Sequence, residues 1–200
     1  MSSQAKTSMR SNEPQMREPP KRSKEPPMRP QSRSLTDPET QQLLDTIAGE
    51  ACRDLFASYG VVLNKRVMSG DAIEPVHLSG IIGFSGPGIS GTCVLAASED
   101  PIARTNPVQG PAREWIAELS NQLVGRIKNQ LLVRGAEVYV TTPVVLRGEH
   151  LAPMPRMAAP PLSFATDRGN VFVWVEFETA PELVLGTPIE TLAEGDALLF

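Results

Sequence analysis

The sequence predicts an α+β fold, in which a mostly antiparallel β-sheet carries two long helices packed on one face. Two segments, one after Thr36 and one ending before Gly135, repeat apolar residues at helical spacing. Short β-branched runs separated by glycine- or proline-containing turns predict about six strands. The chain shows no internal repeat, so we expect these elements to form one sheet with its helices.

Charge and composition divide the chain into a basic arm and an acidic domain. The first 36 residues hold eight of the 19 Lys and Arg but three of the 23 Asp and Glu. Residues 1–34 also contain six prolines and no aromatic side chain. Such a segment cannot bury enough apolar surface to offset its ordering entropy. We therefore predict a disordered basic arm at residues 1–35, either a tether to an acidic partner or a solvated tail, and one domain at residues 36–200.

The composition of the domain excludes several functional classes. Its acidic balance argues against nucleic acid as the main ligand. Only Cys52, Cys93, His77 and His150 are available for a Cys- or His-based metal site or a Ser/His/Asp triad. The two cysteines have apolar neighbours typical of buried free thiols, and no apolar run reaches the roughly 18 residues that span a bilayer. We expect a cytoplasmic protein with no membrane association and no metal of its own.

The first helix is predicted from its start signals. Thr36-Asp37-Pro38-Glu39 combines a capping residue, a proline in the first turn and an acid near the positive helix end. Gly60 supplies a stop after about 20 residues. The apolar residues at helical spacing are Leu43, Leu44, Ile47, Ala48, Ala51, Cys52, Leu55 and Phe56.

Strands are predicted next, at Val61–Val67, Val76–Phe84 and Ser90–Ala97. The glycines near the turn Gly86-Pro87-Gly88 suggest a phosphate-binding loop. However, no Gly-Lys-Ser/Thr follows them and no helix begins there. A hairpin turn is the better interpretation.

The rest of the chain is predicted as a helix, a strand, a loop and a hairpin. The second helix should run from about Pro111 to Arg134, and a strand at Glu137–Leu146 should follow. Four prolines predict a loop at residues 148–161. Leu162–Thr166 and Val171–Glu178 should then pair around a turn that contains glycine and asparagine.

The last strand of this hairpin is apolar on both faces for much of its length. Phe172, Trp174, Glu176 and Glu178 share one face, and Val171, Val173, Val175 and Phe177 share the other. This pattern predicts burial on both sides. It fits an internal central strand of the sheet.

The second helix has one apolar face and one polar face. At 100° per residue, the apolar face holds Ile116, Leu119, Leu123, Val124, Ile127 and Leu131. Glu118 and Asn121 lie one turn apart on the opposite side. Gly125 lies there too, although an exposed mid-helix glycine costs roughly 1 kcal/mol relative to alanine. A solvated face and a binding face are both compatible with this pattern, and the small residue favours close approach of another protein.

The residues from Glu118 to Asn129, Glu-Leu-Ser-Asn-Gln-Leu-Val-Gly-Arg-Ile-Lys-Asn, resemble the E-x-x-N…G helix of the CheC and CheX chemotaxis phosphatases. Gly83-Phe84-Ser85-Gly86, with Gly91 before a strand, is similar to the hairpin that precedes this helix in the family. The resemblance covers about residues 36–180. No glutamate in the first helix is followed three residues later by an asparagine. The chain therefore has a single E-x-x-N motif and resembles the CheX type.

The resemblance implies a phosphatase that acts on the aspartyl-phosphate of a CheY-type response-regulator receiver domain. Asn121 would orient the attacking water, and Glu118 would pair with the receiver's lysine. The partner would bring the Mg²⁺, so the protein itself would need no cofactor. The family also implies a homodimer joined through its sheets, with the last strand at the interface; an internal central strand is the alternative. A non-catalytic receiver-binding module or a dimeric scaffold is the alternative function.

The remaining candidate contacts with the receiver lie on the same helix face. Gly125 would give clearance for the receiver surface. Lys128 would add a contact at the rim or remain solvated. Gln122 and Glu114 complete the candidate partner-binding residues.

Overall fold

The computed structural model describes residues 36–67, 76–108, 110–151 and 160–188, and α1 spans Pro38–Ala57. Asp37 is its N-cap and accepts hydrogen bonds from the backbone N–H groups of Glu39 and Thr40, both at 3.0 Å. After the helix, Gly60 has a φ of 74°, a left-handed conformation that favours glycine. The predicted start and stop of the first helix are confirmed.

In the described residues one sheet contains seven strands, and the predicted α+β class is confirmed. Their bounds are Asn64–Arg66 (β1), Val76–Gly86 (β2), Ile89–Ala97 (β3), Tyr139–Val140 (β4), Val144–Leu151 (β5), Leu162–Thr166 (β6) and Gly169–Thr179 (β7). Their order is β1-β6-β7-β3-β2-β4, and β5 pairs with β2 beside β4. All pairings are antiparallel.

The glycine-rich segment is the turn of a hairpin between β2 and β3. Gly86 pairs with Ile89, so Pro87 and Gly88 form the two-residue turn. Gly88 has a φ of 76°, which a proline–glycine turn requires at its second position. The hairpin interpretation is confirmed. Similarly, β6 and β7 pair as predicted, but the turn is shorter than expected and contains only Asp167 and Arg168, because Gly169 and Asn170 already pair with β6.

One short helix, α2 at Glu99–Thr105, was not predicted. Its seven residues are too few to show a helical period, and Pro101 in the segment suggests a loop. Ile102 is completely buried and fixes the helix to the core. The third helix, α3, spans Ala112–Leu132, close to its predicted bounds.

Two strand predictions need correction. Val61–Val67 forms a ladder only at Asn64–Arg66, because Val61 and Leu63 point into the core beside the first helix instead. The predicted strand at Glu137–Leu146 is divided into β4 and β5 by residues 141–143. These contain Pro143, which lacks a backbone N–H for the ladder.

The predicted loop at residues 148–161 also begins later than expected, because β5 continues to Leu151. Residues 152–159 of that loop lie outside the described part of the chain, as does the predicted arm at residues 1–35.

The main hydrophobic core lies between the helices and one face of the sheet. Helix α1 packs against α3 and β7, and α3 packs against β2. Cys52 and Cys93 are both free thiols buried in this core, as predicted. No helix among the described residues is long and apolar enough to cross a membrane.

The last strand, β7, is internal, between β3 and β6. Phe172 is 1% exposed and Trp174 is 4% exposed, and they form a second small cluster with Val76 and Ala96. The prediction of burial on both faces is confirmed. These two side chains are already buried within one copy of the chain, which favours the internal-strand interpretation of this segment.

Candidate functional site

The helix α3 is held against the sheet by a continuous buried face. Its buried residues are Ile116, Leu119, Ser120, Leu123, Val124, Ile127 and Leu131. All six residues of the predicted apolar face belong to this set. The opposite side of the helix is therefore oriented away from the core.

Helix α3 approaches β2 closely at Ser120. Its Oγ donates a hydrogen bond to Ile116 O at 2.8 Å, within the helix. A Cβ atom at Gly80 of β2 would lie 2.1 Å from this Oγ, so glycine is required for the observed helix–sheet distance. Because Asn121 follows Ser120 directly, this contact also determines where the outer face of the helix lies.

Glu118 and Asn121 are both exposed on that outer face, one turn apart as predicted. Glu118 Oε1 accepts a hydrogen bond from Gln122 Nε2 at 2.9 Å. The Asn121 carboxamide makes no hydrogen bond in the part of the chain that the structure describes. Its donor and acceptor are thus free to bind a molecule from outside the protein.

The other candidate contact residues differ in their surroundings. Gly125 is half-buried, and a Cβ added there would have no atom within 4 Å. Glu114 is exposed, and its Oε1 lies 3.6 Å from Nη2 of Arg113. Lys128 is half-buried and makes no ion pair with the described residues. The structure thus places these three candidates on α3, with open space beside Gly125.

Gln122 is more constrained than the sequence indicates. We expected it on the solvent face, but it is half-buried. Its Oε1 accepts a hydrogen bond at 2.8 Å from Tyr59 Oη, in the turn after α1. Helical periodicity cannot reveal such a partner, because Tyr59 is distant in sequence and belongs to another element.

The described residues contain no group of three or more His, Cys, Asp or Glu side chains arranged to hold a metal ion. His77 lies in β2, within the predicted strand Val76–Phe84. The candidate site therefore consists of a carboxylate, a free carboxamide and an open stretch of helix.

Comparison with solved structures identifies the fold. A CheC-like superfamily protein from Shewanella sp. PV-4 matches with a TM-score of 0.60 and 19% identity, over 68% of this chain and 97% of that protein. The chemotaxis protein CheX from Vibrio vulnificus matches with a TM-score of 0.60 and 18% identity, over 68% and 99% of the two chains. CheX from Desulfovibrio desulfuricans gives 0.58 and 15%, over 68% and 99%.

No protein-family model and no curated protein matches the sequence. The fold is therefore identified from structural similarity. The helix face that carries Glu118 and Asn121 lies on its outer surface. This chain has the CheC/CheX-like fold.

Proposed function

We propose that this protein is a phosphatase that hydrolyses the aspartyl-phosphate of a CheY-type response-regulator receiver domain. The observation that carries the proposal is the pair Glu118 and Asn121, exposed one turn apart on the outer face of α3. The CheC/CheX-like fold and the longer sequence resemblance around this pair support the same activity.

In this proposal Asn121 enters the receiver's active site and orients a water molecule. The water oxygen attacks phosphorus, the bond from phosphorus to the aspartate oxygen breaks, and inorganic phosphate leaves. Phosphoryl transfer depends mostly on positioning and charge stabilisation. A carboxamide can hold the water through its donor and acceptor without placing negative charge beside the phosphoryl group. A carboxylate at the same position would repel that group.

Glu118 docks the helix by pairing with the receiver's lysine. Its carboxylate is exposed, so it can meet an ammonium group without further opening of the fold. The receiver supplies the Mg²⁺, which neutralises charge on the phosphoryl oxygens. Gly125 leaves room for the receiver backbone one turn beyond Asn121, and Lys128 and Glu114 lie at the rim of the contact.

The test is the release of phosphate from phosphorylated receiver domains, with and without the protein. Asn121→Ala should lower kcat by roughly 100-fold, because an unpositioned water reacts far less often. Its affinity for the receiver should stay close to that of the native protein. Asn129→Ala is the matched control, since Asn129 is also exposed on α3 and lies two turns further along.

An Asn121→Ala variant that remains fully active would disprove the assigned mechanism. Phosphorylation-dependent binding without a shorter phosphate lifetime would instead identify a non-catalytic receiver-binding module.

We also infer that two copies of the chain associate through the end of the sheet formed by β4 and β5. Tyr139, Val144 and Leu146 are large apolar side chains that remain exposed there. They pair with Ser85, Ile81 and Ser79 of β2, so all three lie on the sheet face opposite the helices. Association through this face leaves Asn121 accessible to a receiver.

A further inference from the structure

The hydrogen bond between Gln122 and Glu118 is one end of a longer chain of contacts. Tyr59, in the turn after α1, donates from Oη to Gln122 Oε1 at 2.8 Å. Gln122 Nε2 then donates to Glu118 Oε1 at 2.9 Å. Tyr59 is 63 residues before Gln122 in the sequence, yet a single carboxamide connects it to the candidate docking carboxylate.

The Gln122 carboxamide has one orientation that satisfies both of its neighbours. A carboxylate oxygen can only accept hydrogen bonds, so the amide NH₂ must face Glu118. The carbonyl oxygen then faces Tyr59, whose hydroxyl can donate. A flipped amide would set two acceptor oxygens against each other and lose the bond to Glu118.

The ring of Tyr59 is itself held in position by Trp115. The two rings are edge to face, with centroids 5.4 Å apart and planes at 88°, which is a favourable arrangement for an aromatic pair. Trp115 Nε1 in turn donates a hydrogen bond to Oγ1 of Thr105, a buried residue at the end of α2, at 2.8 Å. The ring of Tyr59 is therefore positioned directly by α3 and, through Trp115, by α2.

We propose that Tyr59 and Gln122 are positioning residues that hold Glu118 ready for the receiver's lysine, which rests on the docking role proposed above for Glu118. An exposed glutamate side chain samples several rotamers and loses that freedom when it binds a partner. Fixing one oxygen in advance lowers this cost. The other oxygen, Oε2, makes no hydrogen bond within the described residues and is available to the ammonium group.

The proposal predicts a specific effect on receiver binding. Tyr59→Phe keeps the ring contact with Trp115 and removes only the hydroxyl. The KM for the phosphorylated receiver should rise roughly fivefold, as expected for one lost hydrogen bond, and kcat should not change because Asn121 is outside the chain of contacts. In a Glu118→Ala background, Tyr59→Phe should have no further effect on KM. Thr46→Val removes a hydroxyl that donates only to the backbone oxygen of Gln42 within α1, at 2.8 Å, and should leave KM unchanged.

Three kinetic results would overturn the proposal: an unchanged KM in Tyr59→Phe, a fall in kcat alone, or an equal rise in KM when Glu118 is already alanine.

A native protein that hydrolyses no receiver would instead refute the proposed function. In that case, the side-chain amide resonances of Gln122 in an NMR spectrum test whether Gln122 connects Tyr59 to Glu118. They should shift in both Tyr59→Phe and Glu118→Ala, and unshifted resonances would refute the link.

Discussion

At the scale of single residues, burial determines the chemistry of the two thiols. Desolvation raises the pKa of Cys93 to about 12 and moves the pKa of Cys52 still further above its ordinary value. The thiolate is the reactive form, so both side chains should be inert in the folded protein near neutral pH.

The expected result is that the native protein shows no reactive thiol within minutes at pH 7.5, as measured with a chromogenic disulfide reagent. The same protein in denaturant should titrate two thiols, the number of cysteines in the sequence. Rapid modification of either cysteine in the native state would contradict the burial described here.

The residues of the candidate site were predictable because they follow one helical period. The orientation of Glu118, Asn121 and Gly125 follows from spacing along α3 alone. The link from Gln122 to Tyr59 was not predictable, because it depends on how the turn after α1 packs against α3. Sequence periodicity thus identifies the face of the helix, and only the tertiary structure identifies which side chain on that face is held in place.

At the scale of secondary structure, long periodic elements were predicted well and short ones were not. Helices α1 and α3 both have several turns of apolar period and a glycine of positive φ after their last turn, although only α1 has a side-chain cap, Asp37. Helix α2 has only seven residues, and β4 has two. Their formation depends on burial and pairing supplied by neighbours, such as the ladder between β4 and Phe84 and Ser85 of β2.

The contact between α3 and β2 gives a prediction at this scale. Gly80→Ala would place a Cβ 2.1 Å from Ser120 Oγ and 3.2 Å from the backbone oxygen of Ile116. Overpacking of this kind costs roughly 1–3 kcal/mol. The free energy of unfolding from denaturant titration should fall by that amount, and the proposed receiver phosphatase activity should fall with it, because α3 must move outward.

Two further variants test whether the clash with Ser120 causes this loss of stability. Ser120→Ala in the Gly80→Ala background removes the closest clash. It should restore part of the free energy of unfolding and part of the activity. Gly125→Ala adds the same methyl group where no atom lies within 4 Å, so it should raise stability by up to about 1 kcal/mol. Equal destabilisation by both glycine substitutions would contradict the proposed role of close packing.

At the scale of the whole molecule, the two faces of the sheet have different surroundings. One face is covered by helices, and the outer surface of α3 carries the candidate site. The opposite face has its centre buried at Phe172 and Trp174, while its β4–β5 end exposes apolar side chains. A receiver and a second copy of the chain could therefore bind at the same time, since the two surfaces are on opposite sides of one sheet.

This separation predicts that the proposed dimer can be disrupted without loss of the proposed phosphatase site. The native protein should sediment as a dimer at micromolar concentration in analytical ultracentrifugation. Val144→Lys with Leu146→Lys places two charges in the apolar contact and should raise the dimer dissociation constant on the order of 100-fold. Val108→Lys, at an exposed valine between α2 and α3, should leave association unchanged. A native protein that is monomeric at every concentration, or a double variant that remains dimeric, would show that this end of the sheet is not the interface.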